Sequence, residues 1–320
     1  MEVARGIHRI EAPLGDRINC LYLLAGDDAA MLVDTGLDNT PRDSLLPYLE
    51  SIKLRPQQIR YVVNTHSDFD HMGGNGSLRT LAPEAIFMCH ELDRPMVEKL
   101  DHMIDRRYGE FAADHDIDES PQTKEWIRAN AHDVPIDLGL TGGETFHLGG
   151  GWHVEVLHTP GHSWGSVSVY DPRSRAAIIG DAVLWNTLLT KSGVSAFPAT
   201  YRYVETYLAS IQRLQGMPLD WLLTSHYPVY TGLAVADFLA ESRAYVDRID
   251  AALRTELQQA RTPRTMKELI DALGPGLGSW AAEPRSALVY PFSGHLERLR
   301  AFGLIEADRS NGRVAWRWKP

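Results

Sequence analysis

The stretch Tyr61-Val62-Val63-Asn64-Thr65-His66-Ser67-Asp68-Phe69-Asp70-His71-Met72-Gly73-Gly74-Asn75 decides how this chain is read. It opens on a short, β-branched apolar run, Ile59 to Val63, bounded by Pro56 and Asn64, the signature of a buried strand. Directly after it stand four side chains able to bind a metal: His66, Asp68, Asp70 and His71. Imidazole and carboxylate are donors for zinc, iron or manganese, and a strand end lets such side chains converge. Gly73 and Gly74 are expected to let the chain turn tightly into the next helix. A capped turn is the competing reading of this string alone.

Three further segments have the same form. His162 follows Thr159-Pro160-Gly161, Asp181 follows Ile178-Ile179-Gly180, and His226 follows Leu222-Leu223-Thr224-Ser225, each closing a strand-like run. Loops at strand ends are where such folds place their chemistry. Four separate segments ending in metal donors outweigh the capped-turn reading.

Around these segments short apolar runs alternate with turn residues from Gly6 to Asp34, an antiparallel meander. Strand-like runs at 86–88, 153–157, 167–170, 176–179 and 221–224 interleave with helical spacing at 41–52, 77–81 and 204–214. The pattern predicts an α/β sandwich with mixed sheets. Residues 92–134 are dense in charge and read as a helical insertion able to cover a site; a solvated surface excursion is the plainer alternative. After residue 230 one long amphipathic helix is expected over 235–260. Thr265 with Glu268 forms a capping-box signature for a following helix. A second helix over 295–302 and runs at 304–306 and 313–318 about Ser310-Asn311-Gly312 complete a winged-helix order, Asn-Gly being a strong hairpin signal. The expected division is a catalytic domain over 1–232 and a long helix with a winged-helix-like cap over 233–320.

The chain resembles the metallo-β-lactamase-fold hydrolases. The resemblance rests on Asp34-Thr35-Gly36, the loop His66 to His71, Gly161-His162, Gly180-Asp181 and His226, in that order over about residues 6 to 230. The tail resembles the winged-helix-like extension of one branch. What the resemblance implies is a four-layer αββα sandwich and a dinuclear centre. His66, Asp68 and His162 would hold one ion, Asp70, His71 and His226 the other, with Asp181 bridging and Asp34 steadying the loop. Metal-bound hydroxide would attack carbon or phosphorus, and Asp70 would double as proton shuttle.

The departure from the family pattern is Asp68, where a second histidine is usual. An extra carboxylate weakens the centre as a Lewis acid and favours harder ions. Zinc is the first expectation, with iron or manganese, or a single ion at Asp70, His71, His226 and Asp181, as alternatives. A di-iron redox protein is the second functional reading, and a nuclease the third. The apolar loop after Asp181 suggests an apolar or aromatic ester, lactone, thioester or haloaromatic substrate, with Trp164, Trp185, Leu188 and Tyr227 as candidate pocket residues.

Composition narrows the field. The 320 residues are 44% hydrophobic and 23% charged, ordinary for a globular chain. Thirty-two basic against 42 acidic residues give a formal charge of −10, poor for non-specific nucleic-acid binding. The tail from Pro263 is locally basic, nine against six, but its arginines lie among acids. It is expected to be a cap or a homodimer surface. No apolar stretch at the N-terminus reads as a signal peptide, and no window reads as a membrane span, so a cytoplasmic protein with Cys20 and Cys89 as packed thiols is expected.

Overall fold

The computed structural model describes residues 1–309 and 312–319. The turn Ser310-Asn311 read above as a hairpin tip therefore lies outside the described residues, although the strands on either side, Ile305–Asp308 and Ala315–Trp318, pair antiparallel.

Two sheets pack face to face. The first has seven strands in sequence order, Glu2–Ala4, Ile7–Leu14, Arg17–Ala25, Ala30–Val33, Ile59–Val63, Ile86–His90 and Leu138–Leu140. Its first four strands form the antiparallel meander, and from Ala30–Val33 onward the pairing is parallel, with helices in the crossovers. The second has six, in the order Tyr230–Thr231, Trp221–Thr224, Ala176–Gly180, Val167–Asp171, Trp152–His158 and Thr145–Gly149.

Side-chain alternation along each strand assembles the layers. On Arg17–Ala25, Tyr22 and Leu24 point to the other sheet, where they meet Val154, Val156, Val169 and Ile178. Leu21 and Leu23 point the other way, onto Leu45, Leu49 and Leu78 of the outer helices and Met103 and Ile127 of the insertion. The far face of the second sheet carries Leu157, Ile179 and Leu222, which pack on helices Val204–Gln215 and Leu233–Gln259. The result is the four-layer αββα sandwich with mixed sheets.

The apolar cluster on that far face does not stop at the long helix. It runs on through Tyr245, Ile249 and Leu253 into Leu269, Phe292, Leu296 and Trp316 of the tail. There, helix Met266–Leu277 starts at the expected capping box, Thr265 N donating to Glu268 Oε2 at 2.8 Å and Thr265 Oγ1 accepting from Glu268 N at 3.3 Å. A second helix runs Val289–Ala301, six residues longer at its start than its apolar spacing announced, because Pro291 and Gly294 break the sequence signal without breaking the helix. Gly294 is required by close approach: a Cβ there would lie 2.1 Å from the Arg202 carbonyl oxygen.

Among the described residues no helix is long and apolar enough to cross a membrane. Both cysteines are free and buried. Burial pushes the Cys20 thiol up to about 11 despite its contact with Arg9, and raises Cys89 further. Neither thiol should react with a disulfide reagent at pH 8 in the native protein, and both should react after denaturation. Fast labelling of the folded chain would contradict this packing.

Candidate metal centre

The loop after strand Ile59–Val63 drops into a one-turn helix, Phe69–Met72, with Asp68 at its N-terminal boundary. Asp68 makes no capping bond with its side chain, which removes the capped-turn reading. Gly73 and Gly74 have ordinary helical torsions, φ −58° and −77°. Their role differs from the one expected: a Cβ on Gly74 would sit 2.3 Å from the Thr35 carbonyl oxygen, so glycine is needed for close approach, not for turning.

The opposite wall comes from the second sheet. Gly161 and Gly180, at φ 147° and 50°, use backbone conformations that glycine tolerates and present His162 and Asp181. His226 follows strand Trp221–Thr224. All seven predicted donors are at least nine-tenths buried and converge in three overlapping groups: His66, His71 and Asp181; His66, Asp68 and His162; Asp70, His71 and His226. Within each, the donor atoms lie within 4.8 Å of one another.

Hydrogen bonds fix how the rings face. Asp34, the one acid outside the cluster predicted to steady it, accepts from Thr65 N at 2.7 Å and Thr65 Oγ1 at 2.8 Å and pairs with His71 Nδ1 at 2.8 Å. Because that Thr65 hydroxyl hydrogen is committed, its oxygen can only accept from His66 Nδ1 at 3.0 Å. His226 Nδ1 donates to the Ile18 carbonyl at 2.9 Å, and His162 Nδ1 to that of Thr200 at 3.1 Å. His66, His71 and His226 therefore turn a bare Nε2 inward, the tautomer metal ligation needs, while His162 Nε2 lies 3.0 Å from Asp68 Oδ2. Three inward atoms, His66 Nε2, His71 Nε2 and Asp181 Oδ1, are buried with no hydrogen-bond partner. Orphaned buried acceptors are costly unless a cation satisfies them.

Electrostatics agree. Burial alone would discharge His71, but the carboxylates of Asp70, Asp34 and Asp181 overrule it and push the imidazole up to about 10. Burial likewise opposes ionisation of Asp181, and the His226 and His71 rings hold it well below the usual carboxylate range. A cluster that grips a proton this tightly favours a divalent cation in its place.

The half containing Asp68 is different. Arg107, from the insertion, donates Nε to Asp68 Oδ1 at 2.8 Å and Nη2 to Asp68 Oδ2 at 3.1 Å, and Nη2 also reaches His162 Nε2 at 3.0 Å. Its side chain is only 7% exposed. Burial and this guanidinium push His162 down to about 4, while against the cost of burial Arg107 holds Asp68 ionised. In this half the guanidinium contacts the donor atoms of Asp68 and His162, whereas in the other half His71 Nε2 and Asp181 Oδ1 have no hydrogen-bond partner. Sequence reading counted the charges of residues 92–134 together and gave Arg107 no role of its own.

Asp93 was also missed. Fully buried after strand Ile86–His90, it accepts from Ser67 N at 3.2 Å, Ser163 Oγ at 2.6 Å and Gly165 N at 2.8 Å. It thus braces the loop of the first sheet against that of the second. Asp93→Ala should lower metal affinity by about 10- to 100-fold without removing a ligand, as read by competition with a chromophoric chelator; unchanged affinity would show the loops hold without it.

A cavity of about 400 Å³ opens over Asp68, Asp70, Asp181 and His226. Phe69, Tyr108, Trp126 and Ile127 line one side, Leu188 and Phe197 another, and Pro284, Ala287 and Tyr290 of the tail close it. Of the four pocket residues predicted, Leu188 is on this wall. Trp164 is instead 48% exposed, stacked on Tyr203, and Trp185 turns its indole to Glu241 of the long helix. Tyr227 is buried beside His226, its phenol donating to the Thr187 carbonyl at 2.9 Å. With Trp185 N donating to the same phenol at 3.2 Å, it anchors the loop.

The profile of the Metallo-beta-lactamase superfamily matches residues 15–226. The chain belongs to the metallo-β-lactamase superfamily. A metallo-β-lactamase family protein from Thermus thermophilus superposes with a TM-score of 0.78 at 24% identity, covering 99% of this chain and all of that one. That likeness extends the shared fold through the tail. A probable metallo-hydrolase of Bacillus subtilis (strain 168) is 27% identical over 68% of this chain and 88% of its own length. An uncharacterized protein of the same organism is 27% identical over 52% of this chain, which spans 61% of that protein. In this metallo-β-lactamase chain an arginine, Arg107, lies among the seven donor side chains.

Proposed function

We propose that the protein is a metal-dependent hydrolase of a small, apolar or aromatic substrate such as an ester, lactone, thioester or activated haloaromatic. The observation that carries this is the cluster of buried metal donors, three of their atoms without a hydrogen-bond partner, beneath a cavity whose wall combines Asp70, Asp181 and His226 with aromatic and aliphatic side chains. A divalent ion held by Asp70, His71, Asp181 and His226, zinc being the first expectation, supplies Lewis acidity and an acidified water. The protein does the rest. Asp70, only 8% exposed and with Oδ2 3.7 Å from both His71 Nε2 and His226 Nε2, takes up the proton of the attacking water. Phe69 against Trp126, at 5.2 Å between ring centres, offers an aromatic face that positions the substrate and excludes water. The insertion and the tail, both on the cavity wall, act as its cap. A bounded cavity favours small molecules over a polymer strand. The test is a panel of those four substrate classes with zinc-loaded protein; no turnover of any of them, with metal bound, would reject the reading.

A further inference from the structure

We propose that Arg107 is the resident cation of the Asp68 half of the centre, so that the chain binds one divalent ion, at Asp70, His71, Asp181 and His226, where the donor set would otherwise accommodate two. The inference rests on the hydrolase reading for the ion it keeps and goes beyond it for the ion it excludes.

The geometry is a complete fit. Asp68 spends both oxygens on the two-pronged face of the guanidinium, at 2.8 and 3.1 Å, the arrangement in which arginine and carboxylate bind most strongly. His162 Nε2, the atom a metal would need, lies 3.0 Å from both Arg107 Nη2 and Asp68 Oδ2 and is taken up by the same ion pair. Neither atom is orphaned. His66 Nε2, left without a hydrogen-bond partner, lies between the two halves: it groups with His71 and Asp181 as well as with Asp68 and His162, and so remains within reach of an ion in the other half.

Arg107 is also held there by groups unrelated to metal binding. Its guanidinium carbon lies 4.5 Å from the centre of the Tyr290 ring, and the Tyr290 hydroxyl donates to the Arg107 carbonyl at 3.0 Å. Tyr290 belongs to the tail, whose helix is tied in turn by Arg202 to Glu110 and Glu297. Charge counting points the same way. Asp68, Asp70 and Asp181 carry three negative charges; one arginine and one divalent ion balance them, whereas a second divalent ion beside a buried guanidinium would meet uncompensated repulsion. The aspartate at position 68 gives the guanidinium two acceptor oxygens and a balancing negative charge, where an imidazole would offer one acceptor and no charge.

The test is the number of zinc ions retained per chain after chelation, reloading with zinc alone and dialysis, by plasma mass spectrometry. Wild-type protein is expected to hold one. Arg107→Ala should hold two, and Arg107→Met, which keeps an apolar stem over Tyr290, should do the same; retention of the first ion shows that the variants are folded. Two ions in the wild type, or one in a variant that keeps its circular dichroism, overturns the proposal while leaving the hydrolase reading intact. No ion in the wild type would reject both.

Discussion

Alanine at His71 is expected to remove metal binding and hydrolysis together, with kcat/KM falling on the order of 10³-fold or more. His71 is the pivot of the centre. Its Nε2 lies 3.7 Å from Asp70 and 3.8 Å from Asp181, and its Nδ1 is the contact through which Asp34 orients the loop. The substitution removes one donor and leaves Asp34 partly unpaired in a buried site, so no rearrangement of neighbouring side chains restores it. Zinc content and kcat/KM measured on the same preparation check this. Activity within tenfold of wild type in a metal-free variant would place the chemistry elsewhere.

The second large effect lies far from the ligands. Phe292→Ala in the tail should cost about 3–5 kcal/mol of stability, because the ring is wholly buried in the cluster that the tail shares with the second sheet. The more telling readout is cooperativity. If the shared cluster makes one folding unit, urea unfolding followed by tryptophan fluorescence and by far-ultraviolet circular dichroism should stay a single coincident transition, shifted to lower urea. A variant whose tail melts first, with the remainder unfolding at the wild-type midpoint, would show the tail to be an independent unit.

Both predictions begin from features of unequal visibility in the sequence. The seven donors were legible because each of the four segments that carry them follows an apolar run, and a run that ends in His or Asp reads as a strand delivering a ligand. Asp34 came with them through its Asp-Thr-Gly context. The long helix Leu233–Gln259 and the Thr265 cap were legible from period and cap chemistry alone. Strands Leu138–Leu140, Thr187–Leu189 and Ser195–Pro198 were not, being three or four residues long and too short to show alternation.

Arg107 was hidden for a different reason. It lies 39 residues from Asp68, beside Arg106, in a segment whose irregular helical turns give no period by which to choose between them. The one available signal was Asp68 itself: a surplus buried carboxylate requires a surplus cation. Trp164 and Trp185 misled because closeness in sequence to His162 and Asp181 stood in for closeness in space. Adjacent residues point in different directions, and these two leave the cavity.

The donors proposed to hold the ion come from both sheets, Asp70 and His71 from the first, Asp181 and His226 from the second. An ion shared between them is a fastener that only the folded chain can close. By mass action, free metal at a thousandfold excess over its dissociation constant would add about 4 kcal/mol to the folding equilibrium, comparable to the loss from a large buried side chain. With such an ion bound, metal supply would govern lifetime as well as turnover: a chain that failed to load would open more often along the seam between its sheets, and proteases would meet that population first.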